Sequence, residues 1–173
     1  MFEIGKYVAY RSEGVCIISD IRAESFGADG TCAQYYILTP IHDKRSTLFV
    51  PVDNERLTSL MRALMSAEQI NEMAAELREM RLEWIADCRS RNNEFREILS
   101  LGERRELAVL ALTVADKIDE TVAAGKKVGS TEASALRRAL KMLYEEFSVT
   151  TDIRSAEDII PFLRGEFALC DKA

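Results

Sequence analysis

One tryptophan, one histidine and three prolines occur in 173 residues, and the four cysteines form no CxxC pair. Cys16, Cys32, Cys88 and Cys170 are spaced too widely for a zinc motif, so reduced cytosolic thiols are expected and no metal. The first residues, Met1-Phe2-Glu3-Ile4-Gly5, carry neither a basic n-region nor an apolar h-region. The longest apolar stretch, Leu107 to Ala115, is nine residues including Thr113, far short of the roughly 20 that a membrane span needs. A soluble, cytoplasmic protein with no membrane partner is expected. Glycine-rich phosphate loops are missing too, and no motif places a serine, a cysteine or a second histidine beside His42. These absences predict no catalysis, no cofactor and no small-molecule substrate. There is no internal repeat and no low-complexity tract.

What is present suits a globular chain able to bury one good core or two small ones, with 47% hydrophobic and 30% charged residues. A net charge of −6 and a pI near 5.0 argue against a general polyanion binder. Any nucleic-acid contact must be local.

Residues 1–55 read with a period of two. Tyr7-Val8-Ala9-Tyr10, Val15 through Ile21, Gln34 through Thr39 and Thr47 through Val52 are short runs rich in β-branched and aromatic residues. Turn signals separate them at Ser12-Glu13-Gly14, Gly27-Ala28-Asp29-Gly30 and His42 through Ser46. Four short antiparallel strands predict a strongly bent sheet or partly open barrel. Pro51 places the last run at a sheet edge, because proline cannot donate to a ladder on both sides.

After Asn54 the period becomes helical. Ser66 with Gln69 predicts a capped helix over 67–80, and Ser100 with Glu103 predicts a second start. The latter opens a long helix with Leu107, Leu110, Ala111, Val114, Ile118 and Val122 on one face, ended by Gly125. Its acids Glu103, Glu106, Asp116, Asp119 and Glu120 read as the wet side. Leu136, Leu140, Leu143, Tyr144 and Phe147 mark a further helix, expected to pack antiparallel to it. Ser155 with Asp158 marks a last short helix to about Leu163, which Pro161 would kink or delay.

Trp84 sits among charges, in Arg81-Leu82-Glu83-Trp84-Ile85-Ala86-Asp87-Cys88-Arg89. Were residues 82–99 one unbroken helix, Trp84, Cys88, Phe95 and Leu99 would share an apolar face, and Trp84 would be core. If the chain instead bends near Arg81 to Ala86, the indole stands at a helix entrance and is free to project. Both readings stay open on pattern alone. From Arg89 to Arg105 five arginines (89, 91, 96, 104, 105) meet three acids (94, 97, 103), a local +2. A second basic group, Lys126, Lys127, Arg137, Arg138 and Lys141, meets only Glu132, giving +4. Scattered charge is commonly a solvated face; the alternative is phosphate contact flanking Trp84. Cys16 and Cys88 fall in apolar patterns and are expected to pack as small hydrophobes, with Cys32 exposed near its glycine turn.

Gly5-Lys6-Tyr7-Val8-Ala9-Tyr10, Glu13-Gly14-Val15, Tyr35-Tyr36-Ile37-Leu38 and Leu48-Phe49-Val50-Pro51-Val52-Asp53-Asn54 together resemble the N-terminal module of CarD-like bacterial transcription regulators. A related module occurs in the transcription-repair coupling factor. The resemblance continues through Trp84, Ser100-Leu101-Gly102 and Leu143-Tyr144-Glu145-Glu146-Phe147. It implies an α+β protein: a small Tudor-like or SH3-like antiparallel β domain (residues 1–55) that binds the RNA polymerase β subunit by edge-strand pairing, followed by an all-α domain (56–173) that contacts promoter DNA. A tryptophan at the position of Trp84 is implied to wedge into the minor groove at the upstream edge of the bubble, stabilising the open complex. The chain departs from the family at Lys6, Arg11 and Cys16, and carries Ile85, Ala86, Glu24 and Phe49 where some members place arginines. Those departures bear on the strength of the contacts, not on the fold.

The expectation is therefore a non-enzymatic transcription regulator. Trp84, Arg89, Arg91, Arg96, Lys126 and Lys127 would contact DNA, and Thr47, Leu48 and Phe49 the polymerase. The rival is an interaction module that docks on RNA polymerase with Trp84 as core and no direct DNA binding.

Overall fold

The four period-two runs become β1 (Tyr7–Tyr10), β2 (Val15–Glu24), β3 (Ala33–Pro40) and β4 (Leu48–Pro51), and with β5 (Met61–Ala63) they form an antiparallel sheet in the order β4-β3-β2-β1-β5. The computed structural model describes residues 2–26 and 32–172; the turn read at residues 27–30 lies outside them. Between β1 and β2 the chain turns through a single 3-10 turn, Arg11–Glu13, and Gly14 at φ 73°. A positive φ of that kind favours glycine over any residue with a Cβ.

Alternation decides which side of the sheet is core. Val8, Tyr10, Cys16, Ile18, Tyr36, Leu38, Val50 and Met61 form one buried cluster. Along β2 the register against β3 shifts between Ile18 and Asp20. This bulge leaves Ser19 as the extra residue, its hydroxyl donating to the Ile37 carbonyl at 3.0 Å. An extra residue reverses the inward phase of the rest of its strand. Ile21 rather than Asp20 therefore packs against the core. Cys16 is fully buried, and burial, with Glu13 adding to it, pushes its thiol up to about 12.

The fifth strand corrects the reading of a helical period from residue 55 onward. Only one turn of helix, α1 (Glu55–Thr58), follows β4, capped by the Asn54 side chain, which accepts from the Leu57 N–H at 3.1 Å. The chain then returns as β5 and pairs with β1, Met61 opposite Tyr10 and Ala63 opposite Val8. Leucine, methionine, arginine and alanine favour helix locally, and the open edge of β1 overrides that preference. The chain accordingly divides into Met1–Leu64 and Met65–Ala173, later than the 55/56 division read from the period change.

The second unit is helical: α2 (Ala67–Leu77), α3 (Cys88–Leu101), α4 (Arg104–Ala123), α5 (Ser130–Thr150) and α6 (Ile159–Leu163). The capping box at Ser66 and Gln69 forms as expected. Ser100 does not open the long helix. It belongs to α3, where its hydroxyl donates to the Glu97 carbonyl at 2.8 Å, and Gly102 at φ 64° ends that helix. Glu103 caps α4 instead, its carboxylate accepting from the N–H groups of Arg105 and Glu106.

Residues Leu107, Ala108, Leu110, Ala111, Leu112, Thr113, Val114 and Ala115 are all buried, so α4 is covered nearly all round from Leu107 to Ala115 rather than on one stripe. It is the hub on which α2, α3, α5 and α6 pack. At the start of α4 Arg104 pairs with Glu146, near the end of α5, at 3.0 Å with both side chains under a tenth exposed. That pairing fits the expected antiparallel hairpin. Asp158 accepts from the Ser155 N–H and hydroxyl ahead of α6, and Pro161 lies in the first turn of that helix, where its missing donor costs little.

The segment 167–172 returns to the beginning of the unit. Asn71 and Leu169 exchange two hydrogen bonds, 2.8 and 2.9 Å, and Asp171 accepts from the Ala67 N–H at 2.9 Å. Leu169 is buried in the helical core. No helix among the described residues is long and apolar enough to cross a membrane.

Candidate functional site

The segment from Arg78 to Asp87 is not helical. Helix α2 ends at Leu77, and α3 begins only at Cys88, with Asp87 as its cap. The backbone N–H of Ser90 and then its hydroxyl donate to the Asp87 carboxylate at 2.8 and 2.7 Å and hold it below the usual carboxylate range. The chain thus bends where the entrance reading required, and the face shared by Trp84 and Cys88 on one helix does not form. Cys88 is exposed rather than packed.

Side chains, not backbone ladders, fix this segment. Arg81 bonds Asp116 of α4 at 2.6 Å and turns its other nitrogen onto the carbonyls of Arg78 and Met80. The Leu82 N–H donates to the Thr113 hydroxyl of α4 at 2.9 Å. Arg91 donates to the carbonyls of Ile85 and Ala86 at 2.7 and 3.2 Å and to Glu132 of α5 at 2.8 Å. Burial would raise the Asp116 carboxyl, but the hydrogen bonds of Arg81 and Arg164 outweigh it and keep the group low. Glu132 is likewise held below its ordinary value, chiefly by its bond from Arg91.

Trp84 is half-buried on this platform. Its ring lies 6.2 Å from Phe95 of α3 and packs against the helical core. Two cations approach it, the Arg91 guanidinium at 4.6 Å and the Lys117 ammonium at 5.7 Å from the ring centroid. Sequence spacing gave no sign of Lys117, which lies 33 positions away on α4.

The basic residues separate into two kinds. Arg91 is buried, with its guanidinium committed to Glu132 and two carbonyls. A phosphate role for Arg91 does not fit this geometry; it positions the segment that carries Trp84. Arg89 and Arg96 lie exposed on α3, and Lys126 and Lys127 lie exposed in the α4–α5 connection. None of these four is ion-paired among the described residues. They remain available to solution.

In the sheet unit β4 is an edge strand paired on one side with β3. Thr47 is exposed just ahead of it, Leu48 is half-buried, and Phe49 is exposed at its outer face while Val50 turns into the core. Phe49 is not alone there. Its ring lies 4.8 Å from Phe26 and 6.4 Å from Tyr35, and Phe26 stands 60% exposed. Among the described residues this edge has no further strand partner, so it offers main-chain hydrogen-bonding groups beside three exposed or half-exposed rings.

A five-stranded antiparallel module with an open edge strand is of a kind that small protein-interaction domains use. Residues 2–65 match the family model of the CarD-like/TRCF RID domain. The first unit is thus a CarD-like RNA polymerase-interacting domain of Tudor-like type, and the match ends where that unit ends. Its presence supports an RNA polymerase-interacting protein of α+β architecture. No curated protein matches the chain.

Proposed function

We propose that this chain is a bacterial, cytoplasmic transcription regulator. It binds the RNA polymerase β subunit through the β4 edge and contacts promoter DNA at the upstream edge of the bubble with its helical unit, stabilising the open complex. The polymerase half rests on the family match and on the exposed edge at Thr47, Leu48 and Phe49. Added-strand pairing supplies main-chain hydrogen bonds, and Phe26, Tyr35 and Phe49 supply apolar contact beside it.

One observation carries the DNA half: Trp84 stands outside any helix, on a segment pinned to α4 and α5, with cations at its ring. A preorganised indole loses little entropy on meeting an unstacked base step, and preference for unstacked DNA shifts the closed-to-open equilibrium. Arg89, Arg96, Lys126 and Lys127 take backbone phosphates, which fix position without reading sequence. Tethering to polymerase raises effective concentration, so a weak DNA contact suffices in a chain of −6. Open-complex lifetimes with Trp84→Ala test this: a shortened lifetime with polymerase binding intact is the expected result, and an unchanged lifetime removes the wedge.

The second reading, a module that docks on polymerase without touching DNA, is favoured by the packing of Trp84 on Phe95 and by the commitment of Arg91 to Glu132. A blue-shifted, quencher-resistant Trp84 emission in the full chain supports that reading instead.

A further inference from the structure

Between α3 and the first turns of α5 runs a groove of about 400 Å³ that sequence spacing alone does not define. Arg96 of α3 and Arg138 of α5 both line it, with the hydroxyl residues Ser130, Thr131 and Ser134. Arginines of the same unit are otherwise often spoken for: Arg81, Arg91, Arg104, Arg105 and Arg164 each hold a carboxylate. Arg96 and Arg138 hold none among the described residues, and the three hydroxyls make no side-chain hydrogen bond there. Every charged residue of the lining is cationic, a local +2 in a chain of −6. Of the acids next to lining residues in sequence, Glu132 is already engaged by Arg91, and Glu94 and Glu97 do not line the groove.

We propose that this groove binds a phosphate of the DNA backbone. Two guanidinium groups lining one groove with three hydroxyls offer the multidentate donors that a phosphate receives, over an apolar floor of Phe95, Leu99 and Ala135. DNA rather than a free phosphate ester is favoured by the neighbourhood: Phe95 lines the groove and also meets the Trp84 ring at 6.2 Å. A phosphate seated here lies next to the base step that the indole meets. Arg96 thus acquires a partner, Arg138, and a defined site. The assignment rests on the DNA-contacting reading above and makes it specific.

The test is binding of the full chain to a fork-junction promoter duplex over a range of salt, with circular dichroism to confirm folding. Because Arg96 and Arg138 are exposed and unpaired, the Arg96→Gln/Arg138→Gln variant is expected to fold and to bind about tenfold more weakly, with the salt slope reduced by about 1. Ser134→Asp, which places a carboxylate in the groove, is expected to weaken binding in the same way. Trp84→Ala is expected to lose affinity at an unchanged slope. If Trp84→Ala is impaired while both groove variants keep wild-type affinity and slope, the groove assignment fails and the DNA reading stands. If the wild type adds nothing to fork binding even with RNA polymerase present to tether it, both fall. A parallel titration with inorganic phosphate distinguishes the source: tight phosphate binding that leaves DNA affinity untouched overturns the backbone assignment.

Discussion

The guanidinium of Arg91 lies 4.6 Å from the centroid of the Trp84 ring while bonding the carbonyls of Ile85 and Ala86, so one buried arginine orients both the indole and the chain that carries it. Its partner Glu132 comes from α5, 41 positions away. Arg91→Ala removes all of these ties and leaves the largely covered Glu132 carboxylate without its cation. We expect a loss of about 3 kcal/mol in unfolding free energy, in the range for breaking a buried pair, and a red-shifted Trp84 emission. An emission maximum identical to wild type would separate Arg91 from the placement of the indole.

Acid should release the same segment. Glu132 and Asp116 both titrate below their ordinary values of 4.5 and 3.8 in the fold. Groups depressed in this way contribute stability that is complete above their unfolded pKa and is lost as pH falls through the folded one. Trp84 emission is therefore expected to stay constant from pH 7 to about 4.5 and to shift red below about pH 4. In Glu132→Gln the part of the transition due to that carboxylate should vanish. A midpoint above pH 5 would contradict the assignment.

The Arg104–Glu146 pair joins the beginning of α4 to the end of α5 out of water. Glu146→Ala removes the buried counter-charge of Arg104 and should destabilise the helical unit by roughly 3–5 kcal/mol, whereas Arg104→Met with Glu146→Leu should restore near-native stability. Urea unfolding of the three proteins measures both values. A double variant left as unstable as Glu146→Ala would show that the pair's charges, not the volume they fill, are required.

At the sheet edge, Phe49→Ser removes the centre of the aromatic group while leaving Val50 and the core side untouched. Binding to RNA polymerase is expected to weaken about tenfold, roughly 1.4 kcal/mol, with the sheet still folded. Titration of labelled chain with polymerase reads this directly. Trp84→Ala should bind polymerase as the wild type does, and equal losses in both variants would break the division of labour between the two units.

Much of the fold was legible because it is written in local periods. Val8 and Tyr10, or Leu107 and Leu110, announce strand and helix by spacing, and Pro51 marked the edge strand correctly. Misreadings came where a distant partner decides. Met61 to Ala63 carry helix-forming residues and become a strand because β1 offers an edge. Ser100 and Glu103 carry the letters of a capping box, yet Gly102 between them stops one helix before the next begins.

The candidate site divides in the same way. The bend at Trp84 was one of two readings in the sequence, and the structure selects it. That Arg91 turns inward could not be read, since a buried arginine and an exposed one look alike until Glu132 is brought to it by the α4–α5 hairpin. Arg138 appeared only as one of five scattered positive charges, and the fold sets it in the same groove as Arg96.

Asn71, Leu169 and Asp171 join the first helix of the second unit to the last residues described, by three hydrogen bonds. Mechanically, that turns an open chain into a closed hoop. Tension entering at residue 65 would load the three bonds of this seam together before it could peel α2 away one turn at a time.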